Sequence, residues 1–343
     1  MKGVLKATRS PGIAWREDLP TPSPQEGEVL VKVKAAAICG TDIHIYDWTP
    51  WAQARVKPPM VFGHEFSGEV VETGPGTSRV KKGDHIAGET HIDCGKCFEC
   101  MTGNAHICEQ MKIVGVQSPG VFSEYAVIPE SCAWVLGDAM SYEHGACLEP
   151  MGVAMHGLEA CCVSGKNVVI LGCGPIGLMA VSLASILGAE QIIASEPADA
   201  RLEKAKSVGA TLALNPREQD LKQAVLDATR GRGAEVVLDY SGNPHAITAG
   251  FELIAKGGTM VLVGLPSEPI TIDVNDAIIY REAHITGVTG RTMYGTWYKC
   301  QRIIESGKFD LSSFIAARYS LAEFEQAIQA AKSGIPGKVL LVP

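Results

Sequence analysis

Four cysteines within fifteen residues constrain this chain more than any other feature. They stand at Cys94, Cys97, Cys100 and Cys108. Thiols so close in sequence suit either two disulfides or one four-thiolate shell around a metal. Zinc favours the second, because it takes four thiolates in a tetrahedron supplied by short loops. A secreted disulfide scaffold is short and follows an apolar leader. This chain has 343 residues and 11 cysteines, an odd number, and residues 1–20 are mixed charged and polar with no apolar core segment. The expectation is a closed structural zinc lobe at about residues 90–110 and a reducing compartment, the cytoplasm.

A chain of this length exceeds a single core, so two domains are expected. The net charge of −8 and pI near 5.6 give no reason to expect nucleic acid or an anionic membrane as partner. Residues 168–189 carry no charge and are long enough to span a bilayer. Gly172, Gly174, Pro175 and Gly177 break that run after four residues. It reads instead as a buried strand, a glycine turn and a buried helix.

The first 150 residues favour short strands and turns. Strands are expected at 29–34, 68–72, 85–88 and 122–128, with turns at Gly74-Pro75-Gly76 and Lys82-Gly83-Asp84. This half predicts a β-rich, partly closed barrel. From about Cys161 short apolar strands alternate with helical stretches. The strands are expected at 168–171, 191–195, 212–214, 235–239, 259–263 and 285–288, and helices at 201–208 and 219–229 among others. That rhythm predicts βαβ units and a doubly wound parallel sheet, for which six strands suffice. After Gly290 the alternation stops. Helices at 297–306 and 321–333 and a last strand at 338–342 make a tail that returns to the N-terminal domain.

The turn Gly172-Cys173-Gly174-Pro175-Ile176-Gly177 follows an apolar strand and opens a helix, the context a dinucleotide site requires. Gly172 permits the tight turn, Gly174 lets backbone approach a pyrophosphate, and Gly177 lets helix pack on strand. Free N–H groups at the helix start then face the anion. Glu196 ends the second strand, 19 residues after Gly177. An acid there accepts from ribose hydroxyls and repels a 2′-phosphate, which favours NAD over NADP. Arg201, five residues on, pulls the other way, since a nearby arginine accommodates a phosphate.

A second cluster joins Cys39 to Gly63-His64-Glu65. A thiolate, an imidazole and a carboxylate make an open zinc site with a position left for water or substrate. Glu149 is a fourth ligand or a close neighbour. Taken singly, each residue has an ordinary structural explanation. Thr41 and His44 follow Cys39 closely and could pass a proton from a metal-bound alcohol to solvent, or be no more than a capping threonine and a solvent-facing histidine.

Together, Cys39-Gly-Thr-Asp-Ile-His44, Gly63-His-Glu65, the four-cysteine lobe and Gly172–Gly177 occur in the order seen in zinc-dependent medium-chain dehydrogenases. The resemblance covers essentially the whole chain. Residues 39–48 and 290–299 further resemble the branch of that family that oxidises the 3-hydroxyl of L-threonine, more than the alcohol or polyol branches.

The resemblance implies a GroES-like catalytic domain, residues 1–151 and 291–343, around a Rossmann NAD-binding domain, residues 152–290, in a homotetramer. It implies that Cys39, His64 and Glu65 hold a catalytic zinc, with Glu149 beside it and Thr41 and His44 as proton relay. Two zinc ions per subunit follow, one catalytic and one structural. For NAD it implies contacts from Gly172, Gly174, Ile176, Gly177, Glu196, Arg201, Val263, Gly264, Leu265, Val288 and Thr289. Glu196 departs from the aspartate that the threonine-oxidising branch often carries. The implied reaction takes L-threonine and NAD to L-2-amino-3-oxobutanoate and NADH, in threonine catabolism. A polyol or 2,3-butanediol dehydrogenase would share every motif except residues 39–48 and 290–299. A zinc-stabilised NAD-binding sensor or scaffold would share them all without turnover.

Overall fold

A computed structural model describes all 343 residues. They divide into two compact units. One comprises Met1–Glu149, Thr292–Glu305 and Leu311–Pro343, the other Pro150–Arg291 and Ser306–Asp310.

The first unit is built on a mixed sheet of seven strands. Its central order is Ala133–Val135, His85–Gly88, Glu65–Thr73, Glu28–Ala37, Lys338–Val342 and Ile315–Ser320, with Tyr125–Pro129 also paired to Glu28–Ala37. The long strand Glu28–Ala37 alternates buried valines with lysines over its first half and buries three alanines at its end. Glu65–Thr73 runs antiparallel beside these alanines, with Ala37 opposite Glu65. Lys338–Val342 comes back from the far end of the chain to pair with the same strand, Leu340 opposite Ala37 and Leu341 opposite Ala36. A buried aromatic trio, Phe62, Phe122 and Phe324, packs edge-on and tilted at ring distances of 5.2 to 5.5 Å, fixing the helix Phe324–Lys332 against the body of the unit.

The second unit is a six-stranded sheet, parallel throughout. Its order is Leu212–Leu214, Gln191–Ser195, Asn167–Leu171, Ala234–Asp239, Ile254–Leu262 and His284–Gly287. Numbered along the chain that is 3-2-1-4-5-6, the dinucleotide-binding arrangement. Asn167–Leu171 is buried on both faces at four of five positions, as helices on either side require. The uncharged run yields only the helix Pro175–Ile186, and no helix is long and apolar enough to cross a membrane.

Several elements differ from the sequence expectation. Residues 122–124 lie outside the strand, which starts at Tyr125. The strand expected at 259–263 begins earlier, at Ile254. Gly257 and Gly258 look like a turn in sequence, yet the strand runs through them, Gly257 at φ 72, with a register shift against Ala234–Asp239 absorbing the irregularity. The helix Pro244–Leu253, opened by Pro244 and capped by Asn243, whose side chain accepts from the N–H groups of His245 and Ala246, was not separately expected.

Candidate active site

In the lobe, the sulfurs of Cys94, Cys97, Cys100 and Cys108 lie within 4.8 Å of one another. None is disulfide-bonded. The Cys97–Cys100 and Cys97–Cys108 sulfur separations are 3.4 and 3.8 Å. A tetrahedron with Zn–S bonds of ~2.3 Å has S···S edges of about 3.8 Å, whereas a disulfide needs ~2.05 Å. Backbone geometry already favours thiolates. The N–H groups of Cys94 and Gln110 each lie 3.3 Å from Cys108 Sγ. The N–H of Lys96, with that of Cys97, pulls the Cys94 thiol down to about 7. Burial and the neighbouring sulfurs push Cys100 up to about 12, as expected where four thiols share one point without a cation. The lobe fits a closed zinc shell.

The second cluster is assembled from distant pieces of chain. Cys39 caps the helix Gly40–Asp47, where Asp42 at the third position returns its Oδ2 to the Cys39 N–H at 2.8 Å. His64 and Glu65 stand at the entry to the strand Glu65–Thr73. One atom each from Cys39, His64 and Glu65 converges within 4.8 Å. Asp42, Glu65, His64 and Glu149 are all buried. Asp42 Oδ1 lies 3.7 Å from His64 Nδ1, an ion-pair distance without a hydrogen bond. Burial alone would lower the His64 pKa, but the charges of Asp42, Cys39 and Glu149 lift it to about 10. Burial lifts Glu65 to about 7 against the pull of Lys338. Neither Glu65 oxygen has a full hydrogen bond, and of the two it is Oε2 that is ion-paired to Lys338. Three buried carboxylates, Asp42, Glu65 and Glu149, crowd the site, and Lys338 pairs with Glu65. A divalent cation at the convergence point fits this donor set.

Thr41 and His44 share a face of the same helix, three residues apart. Thr41 is half-buried and His44 exposed. The His44 ring lies 5.9 Å from that of Trp51, and its Nδ1 lies 3.4 Å from Thr49 Oγ1 rather than meeting Thr41.

In the second unit the glycine turn closes the strand Asn167–Leu171 and opens the helix Pro175–Ile186. Gly172 has φ 88, and a Cβ on it would strike Ser241 at 2.7 Å; a Cβ on Gly177 would sit 1.9 Å from the Gly172 carbonyl. Around Gly174 there is open space, as a pyrophosphate requires. A cleft of ≈ 680 Å³ lies here, lined by Gly172, Gly174, Glu196, Arg201, Arg217 and His245 among others. Glu196 is buried and heavily used. Its Oε2 accepts from the Cys173 N–H at 2.8 Å, its Oε1 from the Ala198 N–H at 3.2 Å, and Arg201 Nη1 lies 3.7 Å away. Ile176 is half-buried on the first turn of the helix. Val263, Gly264 and Leu265 follow the strand Ile254–Leu262, and Val288 and Thr289 follow His284–Gly287. In a parallel sheet these strand ends share one edge, the edge where open α/β sheets bind ligands.

Sequence reading left three contributors unassigned. Asp42 was present in the motif, and its spacing from Cys39 is that of a capping box. The segment 239–242 faces the glycine turn; Asp239 accepts from the N–H groups of Ser241 and Gly242 at 3.1 Å. Lys338 Nζ lies 2.5 Å from Glu65 Oε2, and nothing local marks it.

An open three-donor metal site, a four-thiolate lobe and a dinucleotide fold together describe a metal-dependent oxidoreductase. The family model of the alcohol dehydrogenase GroES-like domain matches residues 25–138, and that of zinc-binding dehydrogenases matches residues 175–306. The chain belongs to the zinc-binding dehydrogenase family. Within it, the chain is 46% identical over 345 residues to an L-threonine 3-dehydrogenase of Caldanaerobacter subterraneus subsp. tengcongensis, covering 100% of this chain and 99% of the relative. It is 44% identical to an L-threonine 3-dehydrogenase of Pyrococcus horikoshii, covering 100% and 98%. A solved structure described as a short chain alcohol dehydrogenase of Escherichia coli CFT073 complexed with cofactor NADH is similar at TM-score 0.91 and 29% identity, covering 100% and 99%.

Proposed function

We propose that this enzyme oxidises the 3-hydroxyl of L-threonine with NAD, giving L-2-amino-3-oxobutanoate and NADH. The observation that carries the reading is the end-to-end identity of 46% and 44% with L-threonine 3-dehydrogenases. The convergence of Cys39, His64 and Glu65 supports it chemically. We assign these three to a catalytic zinc and Cys94, Cys97, Cys100 and Cys108 to a structural one. The catalytic metal supplies a Lewis acid that lowers the pKa of the substrate hydroxyl. NAD, held at the glycine turn, would supply the hydride acceptor.

The chain's own residues bind, orient and move the proton. Asp42 holds the His64 ring. Glu149 adds a buried negative charge beside the metal ligands and so tempers the acidity of the site. Thr41 takes the hydroxyl proton and His44, at the exposed end of the helix face, delivers it to water. Gly174 and the N–H groups opening the helix Pro175–Ile186 receive the pyrophosphate. Glu196 faces the ribose, with Val263, Gly264, Leu265, Val288 and Thr289 on the same strand-end edge. The reading places residues 1–151 and 291–343 in the catalytic domain and 152–290 in the NAD domain. It also makes the protein a cytoplasmic homotetramer without nucleic-acid or membrane partners.

The test is NADH formation with L-threonine, L-serine, sorbitol and 2,3-butanediol side by side, repeated with NADP. L-Threonine with NAD should give the highest kcat/KM. A higher value for sorbitol or 2,3-butanediol would assign the enzyme to another branch, and a clear NADP preference would overturn the role of Glu196.

A further inference from the structure

Lys338 belongs to the final strand, Lys338–Val342, far in sequence from the motifs of the zinc cluster. It is 3% exposed, and a lysine is not buried without partners. Its ammonium has two of them. Nζ lies 2.5 Å from Glu65 Oε2 and donates to the Ile38 carbonyl at 2.6 Å. Ile38 immediately precedes Cys39, and Glu65 immediately follows His64. One cation therefore ties together the two segments that carry all three converging donors. Register fixes the lysine in turn, because the Ile38 N–H donates to the Val339 carbonyl at 2.9 Å and Leu340 stands opposite Ala37.

We infer that Lys338 is a positioning residue for the metal site: it holds Glu65 by Oε2, so that Oε1 is presented to the point where Cys39 and His64 converge. The inference rests on the reading of Cys39, His64 and Glu65 as the zinc set. Its logic is geometric. A free glutamate at a strand entry has several rotamers, and an open metal site with three protein ligands depends on each of them. Pairing Oε2 with a buried ammonium leaves one oxygen for the metal, and Oε1 is the oxygen that the ion pair with Lys338 does not engage. The same ammonium offsets part of the negative charge that Asp42, Glu65 and Glu149 bring to the cluster. The lysine acts through Glu65 and through the backbone at Ile38.

The experiment compares the full-length protein with Lys338→Met and Lys338→Arg after loading with cobalt(II). It reads the visible cobalt spectrum, metal per chain, and transfer of metal to a competing chelator. The four-cysteine lobe serves as an internal reference for folding. Lys338→Met should hold the lobe metal as before while its second metal binds ~10- to 100-fold more weakly, the cost typical of losing an outer partner of a ligand. The cobalt spectrum of that site should change with it. Lys338→Arg should recover most of the affinity and the spectrum. In a Glu65→Gln background, Lys338→Met should add little, because the lysine acts through the carboxylate. Should Lys338→Met fail to fold, Lys338→Gln carries the same comparison, keeping a donor for the Ile38 carbonyl without the charge.

Wild-type affinity and spectrum in Lys338→Met or Lys338→Gln would overturn the inference alone. So would an undiminished loss in the Glu65→Gln background. A wild-type protein that holds only the lobe metal would overturn the zinc-set reading itself.

Discussion

The two metal clusters of the first unit follow opposite rules. In the lobe, four identical donors come from one fifteen-residue stretch, with Cys94, Cys97 and Cys100 half-buried and Cys108 buried. The second cluster has three different donors drawn from residues 39 and 64–65, and it is braced by a lysine at 338. Its carboxylates are buried. The lobe can close its shell with local chain alone, so its product is stability. On the proposed assignment the other site would keep a coordination position open, and its donors, drawn from separate segments, depend on the rest of the unit to converge. A closed site is a local fact of sequence; an open site is a tertiary one.

Breaking each cluster in turn should therefore give opposite phenotypes. The largest effect belongs to Cys39→Ser. Loss of the thiolate should empty the open site and lower kcat/KM by about 10⁴-fold, the kinetic equivalent of ~5.5 kcal/mol. Zinc analysis should fall from two ions per chain to one with the thermal midpoint little changed. Two ions with full activity would remove Cys39 from the ligand set. His44→Ala comes next. It leaves both metals in place and should cost roughly 10²- to 10⁴-fold in rate if the imidazole carries the proton. An unchanged pH–rate profile in that variant would exclude the relay role, and the contact of Nδ1 with Thr49 would then be all the ring does.

Cys97→Ser turns the comparison round. It should lower the melting temperature or weaken assembly while kcat of the folded protein stays near the wild-type value, because the lobe metal has no vacancy for substrate. Structural zinc contributes to folding directly. Complete inactivity in a stable, fully assembled protein that still holds its second zinc would erase the distinction between the two sites.

The same contrast explains what sequence could show. The lobe, the glycine turn and the strand-helix rhythm are local patterns, so residues 94–108 and 172–177 declared themselves and the six parallel strands were placed within a few residues, apart from the early start of Ile254–Leu262. Cys39, His64 and Glu65 were a weak signal until a family resemblance ordered them, since each is ordinary alone. Lys338 was beyond reach. Its role exists only because Lys338–Val342 pairs with Glu28–Ala37 across 300 residues of chain. The helix Tyr142–Glu159, which carries Glu149, was also hidden: Pro150 and three glycines interrupt its helical pattern, and tertiary packing overrides them.

The smallest predicted effect probes the periphery of the open site. Glu143 makes a two-pronged ion pair with Arg318, Nε to Oε1 at 2.6 Å and Nη2 to Oε2 at 2.8 Å, linking the start of the helix that carries Glu149 to the strand beside Lys338. The hydrogen bonds from Arg318 hold the Glu143 pKa below its ordinary value. A depressed carboxylate pKa contributes stability above the unfolded value, about 4.3, and that contribution disappears as pH falls through the folded value. The pair is half-exposed, so its worth is at most ~1 kcal/mol and falls with salt. Glu143→Gln should thus lower the melting temperature slightly at neutral pH and low salt, and match the wild type near pH 3 or in 1 M salt, conditions set by that pKa and by a screening length of about 3 Å. On the proposed assignment metal content should not change, because Asp42 and Lys338 contact His64 and Glu65 whereas this surface pair does not. A loss of the second metal in Glu143→Gln would show that the open site is braced from further out than the buried lysine.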